Sequence, residues 1–215
     1  YSKRLKEART NTKQDTAVLS AVGKINGINV VSSAINFSYL GGSVGSGEGE
    51  NILTAVQYAI DNQCPYLLFP ASGGMRMMEG LISLSQMTRM TIAINELKKN
   101  NLLFLVCFVD PTSGGTTASI ASLSDIAISE PGATIAFSGR RVIEGILKGS
   151  ETLPEKFQTA EYVQEKSGQV DIIVKRKDLS KTIGTLLSIL LKKNSSRSSE
   201  DNVPSGQNTD IQEAS

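Results

Sequence analysis

The chain has 215 residues, 22 lysines and arginines against 21 acidic residues, and no histidine. Without histidine it holds no Ser-His-Asp triad, Cys-His pair or His-ligated metal, so proton transfer falls to a carboxylate, lysine, tyrosine, water, the substrate or another subunit. A net charge of +1 with 5% aromatic residues argues against nucleic acid, and apolar runs such as 102–109 are strand-length, which argues against a membrane span.

Residues 1–16 read as a polar, amphipathic lead-in helix. The stretch 1–9 is charged and is not expected to be a signal peptide. Opening on Tyr1 rather than Met is expected of a piece of a longer chain. Residues 16–23 and 27–38 are rich in β-branched side chains, and the Asn26-Gly27 pair between them is a hairpin signal. A glycine cluster spans 41–49. Helical periodicity resumes at Ile52, Val56, Ala59 and Ile60, so the cluster is expected to pack at a helix start.

The pattern then becomes regular. A buried strand over 65–71 runs into Ser72-Gly73-Gly74 and a methionine-rich helix to about Asn100. A second strand over 101–109 runs into Ser113-Gly114-Gly115 and a helix through about Leu123. Strands follow at 125–129 and 133–137, then a helix near 141–147. A polar helix over 155–166, a strand over 169–174 and an amphipathic helix over 179–191 complete the pattern. Alternating strands and helices predict an α/β fold with right-handed crossovers, and continuous apolar strands predict a sheet covered on both faces. The expected organisation is one domain over 1–191 and a disordered polar tail over 192–215. Cys64 and Cys107, in apolar surroundings, read as reduced thiols of a cytosolic protein.

Two strand–Gly-Gly–helix turns on neighbouring strands carry the chemistry. Glycine admits a ligand close to the backbone, and a helix start offers free N–H donors. Each pair either packs a helix on the sheet, cradles a phosphate, or joins the other in an oxyanion hole for a thioester carbonyl. Neither turn has the Lys-Ser/Thr of a nucleotide-hydrolase phosphate loop or the Gly-x-Gly-x-x-Gly dinucleotide fingerprint. Arg76 either binds a ligand or orients the loop, or caps a helix start, with Glu79 as its expected ion-pair partner one turn on. Met75, Met77, Met78, Met87 and Met90 read as adaptable core or subunit interface. Tyr39 either touches an acyl group or packs.

At these residues the sequence closely resembles the β subunits of bacterial and plastid acetyl-coenzyme A carboxylase carboxyltransferases. The matching segments are Phe37 to Gly47, Ala71 to Gly80, Leu84 to Met87, Asp110 to Ser119, Ser129 to Pro131, Arg141 to Glu144 and Leu153 to Gln158. The resemblance implies a crotonase-like (ClpP/crotonase) fold of stacked ββα units and an α2β2 heterotetramer. It implies transfer of a carboxyl group from carboxybiotin, on the biotin carboxyl carrier protein, to acetyl-coenzyme A. The product is malonyl-coenzyme A for fatty acid synthesis, in the cytoplasm or the plastid stroma. It implies a thioester oxyanion site at Gly114 and Gly115, supported by Gly73 and Gly74. Substrate binding is expected at Gly41, Gly42, Ser72, Arg76, Ser113, Thr116 and Arg141. No side-chain base is implied, since the biotin ureido group takes the substrate α-proton.

Family members usually begin with a four-cysteine zinc ribbon, which these residues lack, so zinc is expected only with such a ribbon upstream. Met75, Met78 and Arg140 replace a common Ala, Gln and Pro, Ser113, Thr116, Ile120 and Ser124 replace a common Thr, Val, Phe and Gly, and Glu48 stands where a small or apolar residue is common. Gly149-Ser150-Glu151 reads as an insertion. A carboxyltransferase for another acyl-coenzyme A such as propionyl-coenzyme A, and a non-catalytic scaffold pairing with α, are the other readings.

Overall fold

The computed structural model describes residues 1–147 and 152–200. The 149–151 insertion and the last part of the expected tail, 201–215, lie outside the described residues. Helix α1 (Ser2–Thr12) leads into strands β1 (Val18–Ile25) and β2 (Ile28–Ile35). They pair antiparallel with Ile25 opposite Ile28. Asn26 and Gly27 hold φ of 50° and 81°, the two positive values that a tight hairpin turn of this twist needs. Helix α2 (Ser46–Asp61) starts inside the glycine cluster, taking in Gly47 and Gly49 ahead of the periodic Ile52, so the cluster does pack at a helix start.

Strand β3 (Tyr66–Phe69), helix α3 (Leu81–Lys99), strand β4 (Phe104–Phe108) and strand β6 (Ile126–Ser129) then alternate. The main sheet has the order β1-β2-β3-β4-β6-β8, with β8 at Ile172–Ile173, and only the β1–β2 pair is antiparallel. Strand β5 (Thr112–Ser113) and strand β7 (Ile135–Ala136) form a separate parallel pair beside it. The expected fourth strand therefore leaves the main sheet, because its partner is the segment before Gly114 rather than β6.

The apolar run of each central strand is divided between two cores. Tyr66 and Leu68 of β3, with Phe104, Val106 and Phe108 of β4, face the core under α2 and α3. Leu67, Leu105 and Cys107 face the opposite core, closed by Leu179, Ile183 and Leu187 of helix α6 (Leu179–Glu200). Side chains alternate across a strand, so a strand sandwiched between helices must be apolar at every position. Tyr66 and Phe104 stack on adjacent strands with centroids 5.5 Å apart. Helices α4 (Arg140–Leu147) and α5 (Ala160–Ser167) complete the described chain. Helix α5 is shorter than expected: Thr159 caps it, accepting from the Tyr162 N–H, and the polar residues before it form turns. Helix α6 continues past Leu191 to Glu200, into the segment expected to lack structure.

Candidate active site

Beyond β3 the chain passes Pro70 and Ala71 to Ser72, which bridges in parallel to Thr112. The next residues do not start a helix. Met75 bridges to Val44, with the Val44 N–H donating to the Gly74 carbonyl at 2.9 Å and the Arg76 N–H to the Val44 carbonyl at 2.8 Å. That pairing needs extended backbone, so α3 waits until Leu81, after a 3-10 turn over Met77–Glu79 and Gly80 at φ 56°. The expected helix-start donors at Gly73 and Gly74 are thereby corrected. The Gly73 N–H donates to the Gly41 carbonyl at 2.9 Å and the Gly74 N–H to Ser72 Oγ at 3.0 Å.

The second turn follows a cis Asp110–Pro111 peptide and strand β5. The Gly114 N–H is also committed, donating to the carbonyls of Ala136 at 3.0 Å and Phe137 at 3.1 Å. The chain then coils once, with the Ala118 N–H on the Gly114 carbonyl at 3.1 Å. The expected helix through Leu123 does not form. The Ala121 N–H reaches back five residues to Thr116, and Ser119 leaves helical geometry at φ −126°, ψ −105°, before a 3-10 turn over Ile120–Leu123. Among the described residues no acceptor faces the Gly115 N–H. It lies in the first turn of the coil, where backbone donors have no partner within the coil.

The two turns meet backbone to backbone. A Cβ on Gly74, at φ +107°, would lie 3.1 Å from Gly114 Cα and 3.2 Å from the Gly115 nitrogen. A Cβ on Gly114, at φ +64°, would lie 3.0 Å from Gly74 Cα and 3.1 Å from the Gly73 carbonyl oxygen. The glycine cluster closes the third side, since a Cβ on Gly42 would fall on the Ala71 carbonyl. The Met75 side chain covers Gly115: its Cγ would be 2.5 Å from a Cβ there, with Met87 Sδ at 3.1 Å.

The sequence pattern that defines the carboxyl transferase domain matches residues 1–215. The chain belongs to the carboxyl transferase domain family. It is 54% identical over 202 residues to the acetyl-coenzyme A carboxylase carboxyl transferase subunit beta of Pelagibacter ubique (strain HTCC1062), covering 94% of this chain and 64% of that protein. The subunit of the same name from Sinorhizobium medicae (strain WSM419) is 47% identical over 193 residues, covering 90% and 62%. The chain thus spans less than two thirds of the length of these curated relatives. Among solved structures, transcarboxylase 12S with hydrolysed methylmalonyl-coenzyme A bound superimposes with a TM-score of 0.71 at 27% identity, over 80% of this chain and 33% of that one. A Pseudomonas malonate decarboxylase hetero-dimer shares the fold with a TM-score of 0.70 at 23% identity, over 81% and 77%. The stacked ββα layout of this carboxyl transferase domain is the crotonase-like fold that the motifs imply.

Within the domain, several expected ligand-binding side chains turn inward. Ser72 and Thr116 are fully buried and hydrogen-bonded to each other at 2.8 Å. Ser113 donates its N–H to the Ser72 carbonyl at 2.8 Å. Tyr39 is buried, with its hydroxyl on the Asp15 carbonyl. Arg141 is exposed at the start of α4, shortly after Phe137, whose carbonyl holds Gly114.

Arg76 is not a free cation. It is 3% exposed and bonds Glu48 Oε1 at 2.7 Å, Glu79 Oε1 at 3.0 Å and the Ser43 carbonyl at 2.6 Å. It also lies over the Tyr39 ring, 5.7 Å from the centroid. Burial opposes its charge, and the bond to Glu48 outweighs that, so the guanidinium is held protonated. The Glu79 pairing confirms the expected one-turn spacing. Burial would raise the Glu79 pKa, yet bonds from the Tyr1 hydroxyl, the Ser46 N–H and Arg76 hold it at about 2.

The role of Glu48, noted in the sequence only as a departure from the common residue, is what sequence reasoning missed. Glu48 is 1% exposed, accepts the N–H groups of Gly45 and Ala17, and pairs with Arg76. A glutamate three places after a helix-starting residue is the available signal, because that spacing lets the carboxylate reach back to the cap N–H. Arg76 and Glu48 together tie the segment after the first turn to the start of α2. Among the described residues no group of three His, Cys, Asp or Glu is placed to hold a metal, and no helix is long and apolar enough to cross a membrane. Cys64 and Cys107 are unpaired and buried, and burial pushes the Cys107 thiol up to about 12.

Proposed function

We propose that this carboxyl transferase domain is the catalytic part of the β subunit of an acetyl-coenzyme A carboxylase carboxyltransferase. It acts with an α subunit, as α2β2, to move the carboxyl group of carboxybiotin on a carrier protein to acetyl-coenzyme A. The product is malonyl-coenzyme A for fatty acid synthesis, in a bacterial cytoplasm or a plastid stroma. Zinc belongs to the reading only with a cysteine ribbon outside these residues.

The observation that carries the reading is the meeting of the two glycine turns with the Gly115 N–H left without an acceptor among the described residues. A fixed donor stabilises charge as it develops on a thioester oxygen, because no reorganisation is needed when the charge arrives. Gly114 supports that donor through its backbone contact with Gly74 rather than through its own N–H. Gly73, Gly74, Gly41 and Gly42 shape the same wall, as do Ser72, Ser113 and Thr116, and Arg76 holds it from behind. Arg141, exposed at the start of α4, is the expected partner of a coenzyme A phosphate. The chain's identity to curated subunits of this name supports the substrate.

A second reading, a longer acyl group, is favoured by the likeness to transcarboxylase 12S, whose structure holds methylmalonyl-coenzyme A. The full-length protein, assembled with its α subunit, is given carboxylated carrier protein and either acetyl- or propionyl-coenzyme A. Malonyl-coenzyme A as the faster product is expected. Faster carboxylation of propionyl-coenzyme A replaces the first reading with the second, and no turnover of either leaves only a scaffold.

A further inference from the structure

We infer that Gln158 is a positioning residue that holds strand β7 in place and, through β7, the Gly114 N–H that fastens the turn carrying the Gly115 donor; this rests on the proposed oxyanion role of that donor. Gln158 ends the matching segment Leu153 to Gln158, just before the Thr159 cap of α5. It is a non-glycine residue at φ 69°, and it is 8% exposed. Left-handed backbone is unfavourable for glutamine, so the surrounding bonds must over-determine it.

Those bonds all lead to β7. The Thr134 carbonyl accepts from the Thr112 N–H at 2.8 Å, and the Ala136 carbonyl accepts from the Gly114 N–H at 3.0 Å. Backbone groups alternate sides along a strand, so the Ile135 N–H between them faces away from β5. It donates to the Gln158 carbonyl at 2.8 Å. The Gln158 side chain makes the second tie, Nε2 donating to the Ser138 carbonyl at 2.6 Å. A carbonyl only accepts, so the side-chain amide must present its nitrogen there. Gln158 thus grips Ile135 with its backbone and Ser138 with its side chain.

Between those two grips lie Ala136 and Phe137, whose carbonyls share the Gly114 N–H at 3.0 and 3.1 Å. Strands β5 and β7 have two residues each, too few to fix their own geometry. With Ser138 released, the adjoining Phe137 peptide is free to rotate, and the shared bond falls to one carbonyl. Gly114 then shifts against Gly74, whose Cα lies 3.0 Å from where a Gly114 Cβ would be, and the next amide is Gly115. Oxyanion donors work over a few tenths of an ångström, and a misplacement of about 1 Å costs on the order of a hundredfold in rate.

The test uses the full-length protein assembled with its α subunit. Gln158→Met keeps the reach of the side chain and removes the amide, so Ser138 loses its donor while the backbone tie to Ile135 stays. A fall in kcat of about tenfold is expected, with KM for acetyl-coenzyme A little changed. Gln158→Asn tolerates the same backbone conformation but stops one methylene short of Ser138, so its kcat should fall too. Unchanged kcat in either variant, or a rise in KM alone, would overturn the tie.

Amide hydrogen exchange over 112–117 and 134–138 is read in the same assemblies, at matched thermal stability. Faster exchange in Gln158→Met and Gln158→Asn supports the tie, and wild-type protection there overturns it. That readout needs no turnover. Variants that exchange as expected in an assembly whose wild type carboxylates nothing refute the proposed function, not the tie.

Discussion

Ser72-Gly73-Gly74 and Ser113-Gly114-Gly115 have the same local sequence after the same kind of buried strand, yet their amide groups have different fates. In the first turn both glycine N–H groups are spent inside the protein, on Gly41 and Ser72. The chain leaves it extended, in a bridge to Val44. In the second turn only Gly114 is spent, on β7 and the residue after it, and the chain coils at once with Gly115 at the front. A Gly-Gly pair is thus a permission for close backbone approach. What approaches is decided by which strand lies alongside.

The comparison breaks most severely at Gly114. Gly114→Val puts a branched side chain at φ +64° against the backbone of Gly73 and Gly74, neither of which has a side chain to move aside. Abolished malonyl-coenzyme A formation is expected, with about 3 kcal/mol or more lost in urea unfolding. Surviving activity would remove the second turn from the site.

Arg76→Ala comes next, because it leaves Glu48 charged and buried without its partner. The expected destabilisation is about 3–5 kcal/mol by denaturant titration. The double change Arg76→Met with Glu48→Leu should recover most of it. A loss confined to KM would instead return Arg76 to the substrate.

Acidification probes the same network more gently. Glu79 has a folded pKa of about 2 against a reference of 4.5, so its contribution is fully present above pH 4.5. It declines as pH falls through the interval from 4.5 to 2, because the unfolded chain takes up the proton first. Glu79→Gln should therefore flatten the acid limb of stability against pH. An unchanged limb would show that the depressed pKa has no bearing on folding.

The smallest effect belongs to Gly73. A Cβ there meets only the Gly41 carbonyl, at 3.2 Å, and its φ is not left-handed. Gly73→Ala should cost about 1 kcal/mol or less and change kcat by no more than a few-fold. A large kcat loss at unchanged stability would make the first turn an equal donor and erase the difference between the two.

Much of the fold was legible because it is set by short-range rules. Asn26-Gly27 announced its hairpin, since only residues tolerant of positive φ close a two-residue turn. The apolar runs of β3 and β4 announced a sheet buried on both faces. The glycine cluster was recognisable as a packed helix start because periodicity resumed at Ile52. The start of α3 was not legible, because Met75 to Gly80 looks helical in composition while Met75 is claimed by a bridge to Val44, distant in sequence. The departure of β7 from the main sheet was hidden for the same reason. Its partner, β5, is two residues long and carries no periodicity.

The sequence by itself determined the first hairpin, the buried central strands, the two close-approach turns, the Arg76–Glu79 pair and the absence of histidine chemistry. Each of these depends on residue type or on spacing of a few positions. Only the tertiary structure decided which amide is left without an acceptor among the described residues, that Arg76 is bound by Glu48, and that the Ser72 hydroxyl is saturated by three segments. Those outcomes depend on hydrogen-bond partners far apart in the chain. A buried donor takes whichever acceptor the fold brings within about 3 Å, and local sequence does not record that neighbour.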